Sequence, residues 1–398
     1  MVYTVAVIGA GPSGLTSIKT SGGYPGRANI YQSVIINSSK EMMSYSDFPP
    51  PAHLPNNMHH SQLLSYLRLY AQTFDLFKHI YFQVRGETQV FDAVMVCTGH
   101  FTQSHLPLND FPGNFKFSIL IIYHYLYGSA EGLQGKRVVV VGILESWPSL
   151  PKMITTFSPG LQVYLSTQKG AWVVSRVGAG GLPGDLVGTS RLDRLVQKLF
   201  PSWITRMMEK KLNRTFDHRL YGLQFFAQIP VVNDDLPGRI ISGRVLVKPN
   251  IREIKGSSVV FEDGSVVEKV DVVVFATGYN YDFPFLHSGL LANGGHHLCL
   301  YHHAFPPGLT RPSLAIVGFI CNLGAINPLA EITFKTPACV YPPSPSRFAC
   351  LERHPLQVDH IPYMDSMAEE LGVRPNLLGL LLREPGVGLR VLLGPCTP

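Results

Sequence analysis

The chain has 398 residues, 45% of them hydrophobic and 15% charged, and a net charge of +6. The length exceeds one ordinary core and points to two compact units, and a charged fraction below the average of about 25% points to burial against a cofactor, a partner or a membrane face. Lys and Arg are scattered, with no run beyond Glu209-Lys210-Lys211 and its neighbours, which excludes the clustered footprint that nucleic acid requires.

Val5-Ala6-Val7-Ile8 reads as a buried strand that runs into Gly9-Ala10-Gly11-Pro12-Ser13-Gly14 and then an apolar-periodic segment to about Lys19. Strand, glycine turn and helix, in that order, make a mononucleotide-binding unit. In G-x-G-x-x-G form, Gly9 permits the tight turn, Gly11 lets the backbone approach a pyrophosphate, and Gly14 lets the helix pack on the strand. The helix start then offers free N–H groups and a positive dipole end to the phosphates. The alternative is a glycine-rich turn without a ligand. The acid that usually follows about 20 residues later to hold the ribose is absent: no Asp or Glu lies between Gly14 and Glu41. Residues 47–57 form a Pro-rich loop, and Ser61 to Thr73 read as an amphipathic helix with Leu63, Leu64, Leu67 and Tyr70 on one face. Phe91 to Gly99 is a second buried strand, ending in Thr98-Gly99.

Arg137 to Val141 opens a second start, ending at Gly142, but Ile143-Leu144-Glu145-Ser146-Trp147-Pro148 supplies no further glycine. Glu145 would repel phosphate, and Trp147 would block its approach. Two readings stand: a plain sheet strand, or a second dinucleotide site. The next strand, Leu161 to Ser166, closes in Ser166-Thr167-Gln168-Lys169, where Lys169 could meet a 2′-phosphate or be a solvated lysine. Gly178 to Gly243 holds no clear period and reads as an insertion of mixed helices. Val259 to Ser265 reads as a hairpin around Asp263-Gly264. Val270 to Phe275 is a further buried strand, ending in Ala276-Thr277-Gly278, and Leu314 to Phe319 is the last strong one. From Phe334 to Arg353 the composition turns to Pro, Ser and Cys, as in a disordered or spliced-in segment. The chain is thus coarsely duplicated, each strand-to-glycine start being answered by an apolar strand ending in Thr-Gly. Those Thr-Gly pairs are either crossings between nucleotide domains or ordinary strand exits.

The six cysteines (Cys97, Cys299, Cys321, Cys339, Cys350 and Cys396) have no CxxC spacing, which argues against a metal site and a disulfide scaffold and fits a reducing compartment. The N-terminus lacks the basic region of a signal peptide. No stretch reaches the ~20 apolar residues that span a bilayer. The longest, Asn376 to Leu393, is interrupted by Arg383, Glu384 and Pro385, so membrane contact within this chain would be peripheral.

Several blocks resemble the flavin-containing monooxygenases of animals. They are Val5 to Gly11, Val34-Ile35-Ile36-Asn37-Ser38-Ser39-Lys40-Glu41-Met42-Met43, Phe91 to His100, Asn233-Asp234-Asp235-Leu236-Pro237, Phe275 to Tyr279, Gly372 to Leu378, and Leu393 to Pro398. The resemblance implies an α/β fold of two dinucleotide-binding, Rossmann-like domains, the NADP-type domain inserted into the FAD-type domain. The implied division is 1–134 and 280–398 for FAD, with a divergent segment at 332–353. Residues 135–279 fall to NADP, with the irregular insertion at about 178–243. It also implies that NADPH reduces FAD, that oxygen then gives a C4a-hydroperoxyflavin, and that this oxygenates a small xenobiotic-like amine, sulfide or ketone while the protein orients it and excludes water. Asn37 matches the family's asparagine near the flavin, where a neutral amide can bond flavin or NADP⁺; on its own it reads as a turn residue before Ser38 and Ser39. The implied FAD contacts are Gly9, Ala10, Gly11, Pro12, Ser13, Gly14, Asn37 and Ser38. The implied NADP contacts are Gly142, Ser166, Thr167, Gln168 and Lys169, with Thr277 and Gly278 at the crossing. The family's setting is the cytoplasmic face of the endoplasmic reticulum membrane; its hydrophobic tail anchor would fall after Pro398, which leaves a cytosolic setting as the alternative.

The departures are as specific. The family's second strand, its acid and a Gly-Gly-Leu-Trp stretch are missing between Thr20 and Gly26, and about two strands are missing between Phe82 and Thr88. Phe117 and Ile121 replace the Gly and His of the F-x-G-x-x-x-H signature, and Gln168 replaces an arginine. These losses leave a second reading, a catalytically impaired relative that at most binds nucleotide or a partner. A flavin disulfide reductase shares the two-domain plan but needs a redox cysteine pair that this chain lacks.

Overall fold

A computed structural model describes residues 4–9, 11, 34–80, 88–101, 103–111, 113–114, 120–123, 135–142, 163–167, 170, 172–225, 230–281, 283–287, 290, 300–306, 309, 311, 313–322, 324–335, 348–349 and 357–397. Two parallel sheets organise them. The first has the order β1 (Val5–Ile8), β2 (Ala93–Val96), β11 (Leu314–Ile316). The second has the order β6 (Val245–Lys248), β5 (Val163–Ser166), β4 (Val138–Val141), β10 (Val272–Phe275), β3 (Leu120–Tyr123). Every strand of the second sheet lies in sequence between β2 and β11, so the second unit is inserted into the first.

The β-branched run Val138-Val139-Val140-Val141 explains the centre of the second sheet. All four residues are buried, as are the four of β10, because parallel sheets are covered on both faces. Val138 and Val140 pack with Leu165, Val272 and Val274 on one face. Val139 and Val141 pack with Val273 and Phe275 on the other, against β7 (Ile251–Lys255) and β8 (Ser258–Phe261). β8 returns antiparallel into β9 (Val266–Val267) through a turn in which Asp263 Oδ1 accepts from Ser265 N at 2.9 Å and Ser265 Oγ at 2.6 Å. The Asp-Gly hairpin is therefore present.

Two pieces ahead of residue 135 belong with this unit: β3 pairs with β10, and Gly113–Asn114 pairs with β7. The division at 134/135 thus cuts through the second sheet, because Leu120-Ile121-Ile122-Tyr123 is an apolar run that β10 can pair.

Helices fill the stretch read as an insertion: α2 (Gly184–Val187), α3 (Arg191–Leu199), α4 (Pro201–Asn213) and α5 (Leu236–Ile241). α1 (His60–Thr73) opens with a capping box between His59 and Gln62 and buries Leu63, Leu64, Tyr66 and Leu67. Beneath it lie Met42, Met43 and Met58, so the helix pins the loop that carries Asn37. Near the C-terminus, α6 (Asn327–Lys335) packs on α7 (His360–Glu370). Arg191 pairs with Asp365, and Arg194 with Asp359 at 3.2 Å, tying α3 to α7. α8 (Leu377–Arg383) and α9 (Pro385–Leu393) break at Glu384-Pro385, where the sequence places the interruption. Among the described residues no helix is long and apolar enough to cross a membrane.

Candidate functional site

The two starts are built alike. β1 pairs with β2 in parallel, and Cys97 N donates to Ile8 O at 2.7 Å. β4 pairs with β10 in parallel, and Ala276 N donates to Val141 O at 2.8 Å. The glycine after each start has positive φ, +102° at Gly9 and +89° at Gly142. A Cβ on Gly9 would lie 2.7 Å from Cys97 O, and one on Gly142 would lie 2.6 Å from Ala276 O. Both positions therefore need glycine for conformation and for contact. Each partner strand then leaves through Thr-Gly, with φ +74° at Gly99 and +93° at Gly278. Gly11 differs: among the described residues no atom lies within 4 Å of where its Cβ would be. That open space is what a backbone cradle for a pyrophosphate needs.

The second sheet also has a topological switch point. From β4 the chain moves to β5 and β6 on one side, and β10 lies on the other. Ligands of open α/β sheets bind in the crevice at such a point, beyond the carboxyl ends of the strands. Gly142, Thr167 and Thr277 follow the carboxyl ends of β4, β5 and β10. Thr167 is buried, and its Oγ1 has no partner among the described residues. Ser166 is committed elsewhere, its Oγ donating to Pro249 O at 2.9 Å, and Thr277 Oγ1 donates to His105 O at 2.6 Å. Ala10, Pro12, Ser13, Gly14, Gln168 and Lys169, like Glu145 and Trp147, lie outside the described residues.

Asn37 sits where the two units meet. Arg176, which follows the short strand Val173–Val174, donates from Nη2 to Asn37 Oδ1 at 2.9 Å. Its Nη1 pairs with Asp234 Oδ2 at 2.8 Å, and its backbone N donates to Asp234 Oδ1 at 2.9 Å. Ser175 Oγ donates to the same oxygen at 2.7 Å. Burial pushes the Asp234 carboxyl up, but these bonds outweigh it and hold the carboxyl below its ordinary value. Two residues past Asn37, the buried Ser39 donates its N–H to Asp185 Oδ2 at 2.7 Å. Asp185 lies in the second unit, and burial raises its pKa. From the first unit, Asn57 Nδ2 donates to Asn37 O at 3.1 Å, and the buried Asn327 donates to Met43 O at 2.8 Å. His100, just after Thr98-Gly99, is held neutral by burial, its pKa pushed down to about 4.

The chain matches the flavin-binding monooxygenase-like family over residues 20–86, 84–341 and 343–398. It belongs to that family. It is 41% identical to human flavin-containing monooxygenase 5, an alignment covering 99% of this chain and 87% of the relative. It is 38% identical to rat dimethylaniline monooxygenase [N-oxide-forming] 2, covering 100% and 88%. Both alignments run over more positions (468 and 472) than the chain has residues, so the relatives carry internal segments that this chain lacks. Among solved structures, the fold resembles S-allyl-L-cysteine S-oxygenase from Allium sativum at TM-score 0.62 and 19% identity, covering 98% of this chain and 93% of that one. It also resembles cyclohexanone monooxygenase in an open form, at TM-score 0.63 and 16% identity, covering 94% and 98%.

FAD and NADP are the cofactors of this family of flavin-binding monooxygenases. The residues present fit both groups, on the space at Gly11 and the buried hydroxyl of Thr167, open and unpartnered among the described residues. Arg176, Asp185 and Asp234 escape a reading of the sequence. Asp234 lies in one of the family blocks, but Arg176 meets Asn37 across 139 positions, and no local pattern reports such a pair.

Proposed function

We propose that the chain is an NADPH- and O2-dependent flavin monooxygenase that oxygenates soft nucleophiles (amines and sulfides) or ketones, from a peripheral position at the cytoplasmic face of the endoplasmic reticulum membrane. The observation that carries this reading is the repeated crossing, in which Gly9 and Gly142 each lie on the strand that ends in Thr-Gly. It supports two dinucleotide sites and favours a nucleotide crevice over a plain strand at Gly142.

Bound FAD, reduced by NADPH, supplies the oxygen activation. The chain's residues supply the rest. The backbone at Gly9 to Gly14 would take the pyrophosphate of FAD. The turn after Gly142, with Thr167 and the Gln168-Lys169 pair, would take the phosphates and ribose of NADP. Asn37 and Ser38 would stand between the two, Asn37 offering a neutral amide that bonds without adding charge. The crossings at Thr98-Gly99 and Thr277-Gly278 would hold the two sites at a fixed separation. We propose the domain division on the same ground, with the second unit extended back to β3.

One observation favours the second reading, a relative that binds nucleotide without turnover. Val5, Val7 and Ile8 are 44%, 48% and 40% exposed, so the strand that leads the FAD turn is poorly covered. Incubation with NADPH, a thioether, ¹⁸O-labelled oxygen and catalase, which removes free peroxide before it can oxidise the thioether, separates the two. The enzyme reading expects sulfoxide carrying one labelled oxygen; unlabelled or absent sulfoxide supports a relative without turnover.

A further inference from the structure

We propose that Arg176 is a positioning residue that fixes which way the Asn37 amide faces, its oxygen turned into the second unit and its NH2, which has no partner among the described residues, presented as a donor. This rests on the reading above, in which Asn37 stands between the two cofactors. A guanidinium carries donors and no acceptor, so only Asn37 Oδ1 can meet Arg176, and it does so at 2.9 Å. The amide is thereby denied its flipped state. Arg176 is itself over-determined. Its Nη1 holds Asp234 Oδ2 at 2.8 Å, its backbone N holds Asp234 Oδ1 at 2.9 Å, and its side chain is only 12% exposed. Asp234 in turn accepts from Ser175 Oγ at 2.7 Å.

The turn that bears Asn37 is held independently. Ser39 N–H donates to Asp185 at 2.7 Å, and Asn57 Nδ2 donates to Asn37 O at 3.1 Å. The amide cannot escape by moving its backbone, so Arg176 decides its orientation. The consequence is a donor of fixed direction, supplied by the first unit and aimed by the second. An asparagine free to rotate would present oxygen as often as nitrogen. A hydrogen bond to a charged partner is worth more than a neutral one, which suits a residue that has to suppress that rotation.

The first measurement needs no cofactor. In protein labelled with ¹⁵N-asparagine, the Asn37 NH2 pair is the one lost in Asn37→Ser. Arg176→Met should shift that pair and speed its rotation, and Arg176→Lys, which keeps the charge but not the fork, should move it less. Where Arg176→Met does not fold, Arg176→Lys and Asp234→Asn carry the comparison. An Asn37 pair unchanged in the variants that fold overturns the positioning role. The second measurement uses FAD-loaded protein. Asn37→Asp still satisfies Arg176 but has no N–H to give, so it should melt no lower than the parent and yet lose product per NADPH consumed. Arg176→Met should lower kcat, by about tenfold or more for a misplaced group, with KM for NADPH unchanged. A product yield per NADPH in Asn37→Asp equal to the parent's overturns the donor role. If the parent takes up no flavin, the monooxygenase reading fails, while the amide measurement still decides the orientation.

Discussion

At the residue scale, three glycines in two near-identical settings have different reasons to be there. A Cβ at Gly9 or Gly142 would meet a backbone carbonyl at 2.7 or 2.6 Å, and φ at both is in the left-handed range. Backbone strain of about 1–3 kcal/mol and overpacking of about 1–3 kcal/mol should both appear in Gly142→Ala and Gly9→Ala, read as lower thermal and denaturant midpoints. A Cβ at Gly11 meets no described atom within 4 Å, so Gly11→Val should melt like the parent while its purified flavin content falls; equal flavin content would count against the site. The sequence motif names all three glycines alike, and only the packing separates a glycine that serves the fold from one that serves a ligand. A second residue-scale outcome concerns His360. Burial, and then the charge of Arg194, push its pKa down to about 4, and its Nδ1 accepts from Asn322 Nδ2 at 3.0 Å. The unfolded chain takes up this proton near 6.5, so the stabilisation is present above that pH and is lost as pH falls towards 4. Melting temperatures from pH 7 to pH 4.5 should therefore fall less steeply in His360→Gln than in the parent.

At the scale of elements, the strands that bear glycine ends were legible because β-branched runs such as Val138 to Val141 and Val272 to Phe275 fit one environment, a covered parallel sheet. β3 escaped because its meaning depends on β10, some 150 positions later. The Arg176 bridge escaped for the same reason, whereas Asn37 itself was legible only through a family block. Exposed apolar residues gather on helices that pack on one another. Leu199, Phe200, Trp203 and Met207 lie along α3 and α4 and the residue between them, and Leu378 and Leu382 lie on α8. Arg206, Lys210 and Lys211 share α4 with Trp203. Apolar side chains beside cations suit an anionic lipid surface. Sedimentation with vesicles containing phosphatidylserine should carry the protein down, and Trp203→Ser with Leu382→Ser should release it; equal sedimentation of parent and variant would remove this surface from the account.

At the scale of the whole molecule, two dinucleotide units survive in a chain shorter than the stretch its relatives share with it, and the losses fall on the cofactor turns. Glu145, Trp147 and Pro148 follow Gly142 where phosphate would sit, and Gln168 adds no charge beside Lys169. A lone solvated lysine there would contribute about 1 kcal/mol or less at physiological salt. NADP⁺ should therefore leave early, water should enter, and most NADPH consumed should appear as hydrogen peroxide. The ratio of peroxide to sulfoxide measures this, and one sulfoxide per NADPH would show that the altered turn still holds the cofactor. The most direct test of the central claim is the visible absorbance spectrum of the purified protein before and after anaerobic NADPH. A flavin spectrum that bleaches on NADPH and returns with air is the predicted result, since it needs both dinucleotide sites in one molecule. A colourless protein that takes up no added FAD would contradict it.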